Sequence, residues 1–293
     1  MMRRSLAARW ETFWLGPMDP IVLETFRVSV GCALLLYLAA WWRDAPEWLT
    51  TAGFHGSAKA ITFAPVAPPL PPAALPWFGL LLFGGVAAFT LGWKTRWATW
   101  VSWACVVYVT VADHLAAYSL NRFFILKLLI LGLTIQGCYW SLDRHPPRPQ
   151  SVWPLRILQA TVLAHYCLAG WSKISHGDWL QNPGVLWTQV NGIYRTDAAA
   201  WMLRTLPLGV WSWMQYTALT FELTAPLLFT IRRLRPLGIL LGVGFQLLVA
   251  LTMYQLIYFS LQMLCFYVLF IDPKSLHRLR RRLRAFGRAI QVA

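Results

Sequence analysis

The chain has 293 residues, of which 58% are hydrophobic and only 13% charged, with a mean hydropathy of +0.50 and a formal net charge of +15. Soluble domains carry about 25% charged residues, so this composition excludes an ordinary soluble fold and points to a polytopic membrane protein. The positive charge is no nucleic-acid signature: the arginines sit in short clusters between apolar runs, not on one basic soluble domain.

Eighteen tryptophans suit a chain with two membrane–water interfaces to anchor. The five cysteines (Cys32, Cys105, Cys138, Cys167, Cys265) all lie inside apolar runs without C-x-x-C pairing, which predicts small core residues and no disulfide framework or metal site. The opening "MMRRSLAARWETFW" has a basic start but no apolar stretch followed by a small-residue cleavage site, so no cleaved signal peptide is expected.

A helical span needs roughly 20 mostly apolar residues. Eight segments meet this approximately: 21–42, 77–93, 98–117, 123–140, 155–173, 207–231, 236–253 and 255–271. The expected fold is therefore an all-α, polytopic membrane helix bundle of about eight transmembrane helices. It forms one domain over residues 1–273, followed by a basic cytoplasmic tail over 274–293. Of the lysines and arginines between and beyond the spans, eighteen fall on one side and about five on the other. The positive-inside bias then places both termini in the cytoplasm, in agreement with an even number of spans.

The segment 43–76 includes "FAPVAPPLPPAALP", too rich in proline for regular structure, and predicts a stiff external cover. The second external loop, 174–206, follows Lys173 and carries "SHGDWLQNPG". The tail "DPKSLHRLRRRLRAFGR" predicts an amphipathic helix on anionic headgroups. The spans show neither an inverted repeat nor paired broken helices, which argues against a transporter.

Ionisable residues inside spans are expensive and mark function. In span one, Glu24 and Arg27 are three apart, share a helix face and predict a structural ion pair. Asp113 and His114 close span three, and Asn121, Arg122 and Lys127 open span four. Lys173 ends span five, with His165 eight residues earlier on the same broad face. Glu222 in "FELTAPLLF" has to pair, protonate or face a cavity; a cation such as Arg27 and a polar ligand group are equal alternatives. Asp113, Lys127 and Lys173 come from three helices at similar depth, an arrangement that builds a polar pocket in a bundle. Lys173 there is either a desolvated base or nucleophile or a cation snorkelling to the interface.

"YCLAGWSKISHGDW" (166–179) resembles the segment of vitamin K-dependent γ-glutamyl carboxylase whose second of two adjacent lysines is the catalytic base. "CYWSLD" (138–143) resembles a turn of the same family, "FELTAPLLF" and the last two spans match it in layout, and "EWLTTAGFHG" (47–56) is similar to the first external loop of bacterial relatives. The wider group is the HTTM family, horizontally transferred transmembrane proteins, and the resemblance covers most of the chain. It implies Lys173 as an outward-facing base acting on a reduced membrane quinone, with Asp178 and Trp179 matching the family's Asp-Trp. It further implies a pocket for the quinone or substrate that includes Asn121, Arg122, Lys127, Asp113, His114 and Gln246.

Three departures stand out. Arg122 and Gln246 replace two carboxylase histidines, and too few residues follow span eight for the family's large lumenal domain. Ordinary protein γ-carboxylation is therefore not expected, and two functions stand side by side. One is a quinol-linked, carboxylase-like enzyme of the bacterial inner membrane. The other is a non-catalytic factor for maturation, export or assembly of a partner. The expected partners are the bilayer and either an exported peptide or a membrane protein, not nucleic acid.

Overall fold

A computed structural model describes residues 6–53, 67–112 and 119–292. The chain divides into two compact units, residues 1–156 with 271–293 and residues 157–270.

The first unit begins with helix α1 (Leu6–Leu15) and the two-residue strand β1 (Pro17–Met18). Asp19 follows, and its Oδ1 accepts the Ile21 amide at 3.0 Å, supplying an acceptor at the start of helix α2 (Ile21–Trp41). A 3-10 turn leads into the short helix α3 (Ala45–Leu49). The segment after α2 is thus partly helical among its described residues. Pro46 stands in the first turn of α3, where its missing amide costs nothing.

Helix α4 (Leu75–Leu91) ends at Gly92, whose φ of 70° is left-handed. The Trp93 amide then bonds back to Ala88 O at 2.9 Å, closing the helix as glycine-terminated helices do. Helix α5 (Thr95–Ala112) and helix α6 (Ser119–Gly132) complete the set, and α2, α4, α5 and α6 pack together around Phe26, Leu34, Phe89, Phe124 and Leu131.

Helix α6 stops eight residues short of the expected end of span four. The reason lies in α2. Glu24 draws the amides of Gly137 and Cys138 to its Oε1 at 2.5 and 2.9 Å, which is incompatible with a helix through those residues. Residues 137–144 form a tight turn instead, with positive φ at Gly137, Trp140 and Arg144. Strand β2 (Gln150–Ser151) then pairs antiparallel with β1, with Pro17 opposite Ser151.

The second unit starts within helix α7 (Trp153–Ser175). The segment after α7 holds helix α8 (Val185–Val190) and helix α9 (Asp197–Thr205), the latter capped by Thr196 Oγ1 accepting the Ala199 amide at 3.0 Å. Helix α10 (Leu208–Thr230), helix α11 (Arg235–Thr252) and helix α12 (Ile257–Tyr267) follow, with α11 packed between α10 and α12. Trp211, Phe229, Met263 and Phe266 form its core. Helix α13 (Pro273–Val292) belongs to the first unit and packs on α2.

Among the described residues the protein is thus helical apart from one two-stranded sheet and two isolated bridges, and each of the eight expected segments overlaps a helix. By length and apolarity, three stretches among the described residues qualify singly as membrane spans: Ile21–Leu49, Pro72–Leu91 and Arg235–Thr252. Tyr254–Phe270 and Pro273–Ala285 qualify only as a pair.

Candidate functional site around Lys173 and Glu222

The second unit brings Lys173 and Glu222 together. Lys173 stands in the last turn of α7, and Glu222 lies midway along α10. Between them, Gly170 removes the side chain that would hold the helices apart: a Cβ there would lie 3.0 Å from Leu223 and 3.2 Å from the Glu222 Cβ. One turn further out, the Lys173 ammonium touches both carboxylate oxygens of Glu222, with Oε2 at 2.5 Å. The Glu222 side chain is 4% exposed and that of Lys173 24%. A carboxylate this deep requires a cation or a proton, and Lys173 supplies the cation.

Trp179 covers the pair. Its ring centroid is 4.7 Å from Lys173 Nζ, within cation–π range, and the residue is 5% exposed. Gln215, fully buried on α10, fastens the loop that carries Trp179. Its Nε2 donates to the carbonyls of Trp179 and Asn182, both at 2.8 Å, and its Oε1 accepts the Leu186 amide at 3.0 Å. Gln215 and Glu222 are seven residues apart, so one face of α10 holds both the loop and the ammonium.

A second polar cluster lies in the same unit. Tyr166, seven residues before Lys173, shares its hydroxyl with Tyr267 at 2.6 Å and accepts from Gln246 Nε2 at 2.9 Å. Tyr267 reaches this position because Gly242 leaves space for its hydroxyl. Gln246 is fully buried, and its Oε1 has no hydrogen-bond partner among the described residues. With the rings of Tyr166, Phe221 and Phe245 in successive contact nearby, this group offers an acceptor and aromatic faces. A hydroxyl-bearing aromatic ring such as a reduced quinone is chemically compatible with it.

The other expected residues separate. Asp178 is exposed and contributes its backbone carbonyl to the Asn182 amide at 2.7 Å. His165 packs against Tyr166 and Phe259. Asn121, Arg122 and Lys127 belong to the first unit: Asn121 and Lys127 are buried, with Lys127 Nζ 5.3 Å from the Phe124 ring centroid, while Arg122 is exposed. Asp113 and His114 lie outside the described residues.

Glu24 and Arg27 form a fully buried pair at 3.0 Å in the first unit. Arg27 also donates to the carbonyls of Phe89, Thr90 and Trp140, the last two at 2.8 Å. The cation that Glu222 meets is therefore Lys173 rather than Arg27, whose guanidinium is already engaged. The same turn carries Asp143, whose carboxylate caps α5 by accepting the amides of Lys94 and Thr95 at 2.8 Å and the Thr95 hydroxyl at 2.6 Å. Burial works against its ionisation, but these hydrogen bonds outweigh that and hold its pKa below the usual aspartate value.

Sequence reasoning singled out Lys173, Trp179 and Glu222 separately but missed Gln215, Gly170, Tyr166 and Tyr267. The seven-residue spacing of two polar residues on an otherwise apolar α10 was the available signal for Gln215.

No curated protein and no solved structure matches the chain. A family model described as the HTTM domain matches residues 15–274. The chain belongs to the HTTM family.

Proposed function

We propose that this HTTM membrane protein crosses the bilayer eight times with both termini in the cytoplasm of a bacterial cell, and that Lys173 and Glu222 form an acid–base pair opening to the external side. The excess of arginine and lysine in alternate connections supports the orientation. The observation that carries the functional reading is the position of Lys173. By the resemblance of its segment to the carboxylase, Lys173 would take the position of the base, and Glu222 lies within reach of its proton. On this reading Lys173 passes its proton to Glu222 during the reaction, leaving a neutral amine beside a neutral acid. The amine then accepts a proton from a substrate hydroxyl. Gln246 and Tyr166 would hold the hydroxylated head of a reduced quinone, which supplies an acidic hydroxyl and reducing equivalents when bound.

A second reading has its own support. Lys173 is engaged by Glu222 and Trp179, and Gln215 bolts the overlying loop, as in a site whose work is to shape an external surface for a partner protein. Mass spectrometry of quinones co-extracted with wild-type and Lys173→Ala protein separates the two. Stoichiometric quinone in the wild type, lost or altered in the variant, is the expected outcome for the enzyme. Well-folded protein without quinone in either form, retaining the same co-purified partner, rejects the enzyme in favour of the assembly role.

A further inference from the structure

We propose that α1 and α13 together form one in-plane platform that lies on an anionic phospholipid surface, joined at the carboxylate of Asp19.

Helix α1 has no buried residue. Leu6, Trp10 and Phe13, at i, i+4 and i+7, make one exposed apolar stripe, with Leu6 84% and Trp10 67% exposed. Trp10 and Phe13 stack, Trp14 meets both edge-on, and the Arg156 guanidinium lies 4.5 Å from the Phe13 ring centroid. Stacked, exposed tryptophan and phenylalanine beside a cation suit the headgroup level of a bilayer, where amphipathic rings partition.

Helix α13 supplies the charge. Leu279 and Leu283, one turn apart and about half exposed, are each flanked by arginines on both sides: Arg278, Arg280, Arg282 and Arg284. Arginine stems can bury alongside the leucines while their heads reach phosphate. The nearest acid in the sequence is Asp272, whose Oδ1 is occupied by the Lys274 amide at 2.8 Å. An open cleft of about 640 Å³ runs along the first turns of the helix, lined by residues that include Lys274, Ser275, Arg278 and Arg281.

Within the first unit, α1 runs through a short connection into Asp19, and α13 meets the same residue. Asp19 Oδ1 caps α2 four residues after α1 ends, and its Oδ2 lies 2.7 Å from His277 Nε2 on α13. Tyr139 packs against the His277 ring, with centroids 5.4 Å apart, and under the Arg280 guanidinium at 4.6 Å. The root of α13 is therefore clamped to the base of α2, and its arginine-flanked leucines extend outward. Charge complementarity selects the occupant: many cations beside an apolar ridge fit anionic lipid, and each cation near such a surface adds to the attraction.

The test uses full-length protein in nanodiscs of phosphatidylcholine alone or with phosphatidylglycerol, followed by amide hydrogen exchange over residues 6–15 and 274–285. The expected result is exchange slowed by about tenfold or more in α13 with phosphatidylglycerol, reversed by raising salt as a surface potential is screened. The double variant Arg278→Glu/Arg282→Glu loses the lipid response of α13 while the exchange of α5 is unchanged. Equal exchange in neutral and anionic nanodiscs overturns the proposal. Protection restored in neutral nanodiscs by inorganic phosphate alone also overturns it, in favour of a soluble-anion site. Fast exchange of α1 in both nanodiscs rejects the shared platform.

Discussion

Gly170 and Glu222 stand in direct apposition across α7 and α10, so close that a methyl group at position 170 would lie 3.2 Å from the glutamate Cβ. The distance between the two helices at this point sets whether Lys173, three residues on, reaches the carboxylate. Gly170→Ala has to displace Leu223 by a few tenths of an ångström, whereas Gly170→Val has to part the helices. Overpacking of this kind costs about 1–3 kcal/mol. Thermal unfolding in mild detergent should rank wild type, Gly170→Ala and Gly170→Val in falling stability.

Removing one member of the Lys173–Glu222 pair leaves the other charge in a dry site. Glu222→Gln and Lys173→Met should each destabilise by about 3 kcal/mol, the lower end for a buried pair, because Lys173 keeps 24% of its side chain exposed. The double variant Lys173→Met/Glu222→Leu should recover most of that loss. A double-mutant cycle showing purely additive losses would contradict the pairing.

Gln215→Leu removes three hydrogen bonds from the Trp179 loop at once. The loop carbonyls and the Leu186 amide then turn to water, and Trp179 no longer covers the ammonium. The expected signature is faster labelling of Lys173 by an amine-reactive reagent in detergent-solubilised protein. Peptide mass spectrometry reads it, with Lys94 as the internal reference. Unchanged labelling would mean that Trp179 holds its place without Gln215.

Asp143 gives a pH dependence with a definite sign. Its folded-state pKa lies below the ordinary aspartate value, so its contribution is fully present above about pH 4, the unfolded value. That contribution is lost as pH falls through the depressed folded value. Asp143→Ala should cost about 1 kcal/mol at neutral pH through the lost α5 cap. Between pH 5 and pH 3 the wild type should lose stability more steeply than the variant, as thermal unfolding across that range would report.

The spans were readable because apolar runs and flanking cations are local signals. The span expected at 77–93 overlaps α4 (Leu75–Leu91), and Lys94 and Arg96 follow it. The end of α6 was not readable, because the amides that break it bond Glu24, more than a hundred residues away. The same limit applied to the site. Lys173 and Glu222 each stood out as a charge in an apolar helix, but 49 residues separate them, and only the close approach at Gly170 makes them partners. Gln215 gave a weaker signal still, since a glutamine among apolar residues does not announce that its amide will be saturated by three backbone groups.

The carbonyls that receive Arg27 have a consequence for synthesis. They come from residues 89, 90 and 140, and the last is 113 residues downstream. When α2 first leaves the ribosome, its guanidinium has Glu24 but none of these acceptors, and an arginine inserted alone in hydrocarbon costs about 3 kcal/mol on the translocon scale. Its neighbours relieve that cost only in stages, first as the end of α4 emerges and then as Trp140 follows. The surroundings of Arg27 on α2 are therefore not complete until the turn after α6 has been translated, and a chain arrested between residues 93 and 136 would present Arg27 to the insertion machinery without its Trp140 acceptor.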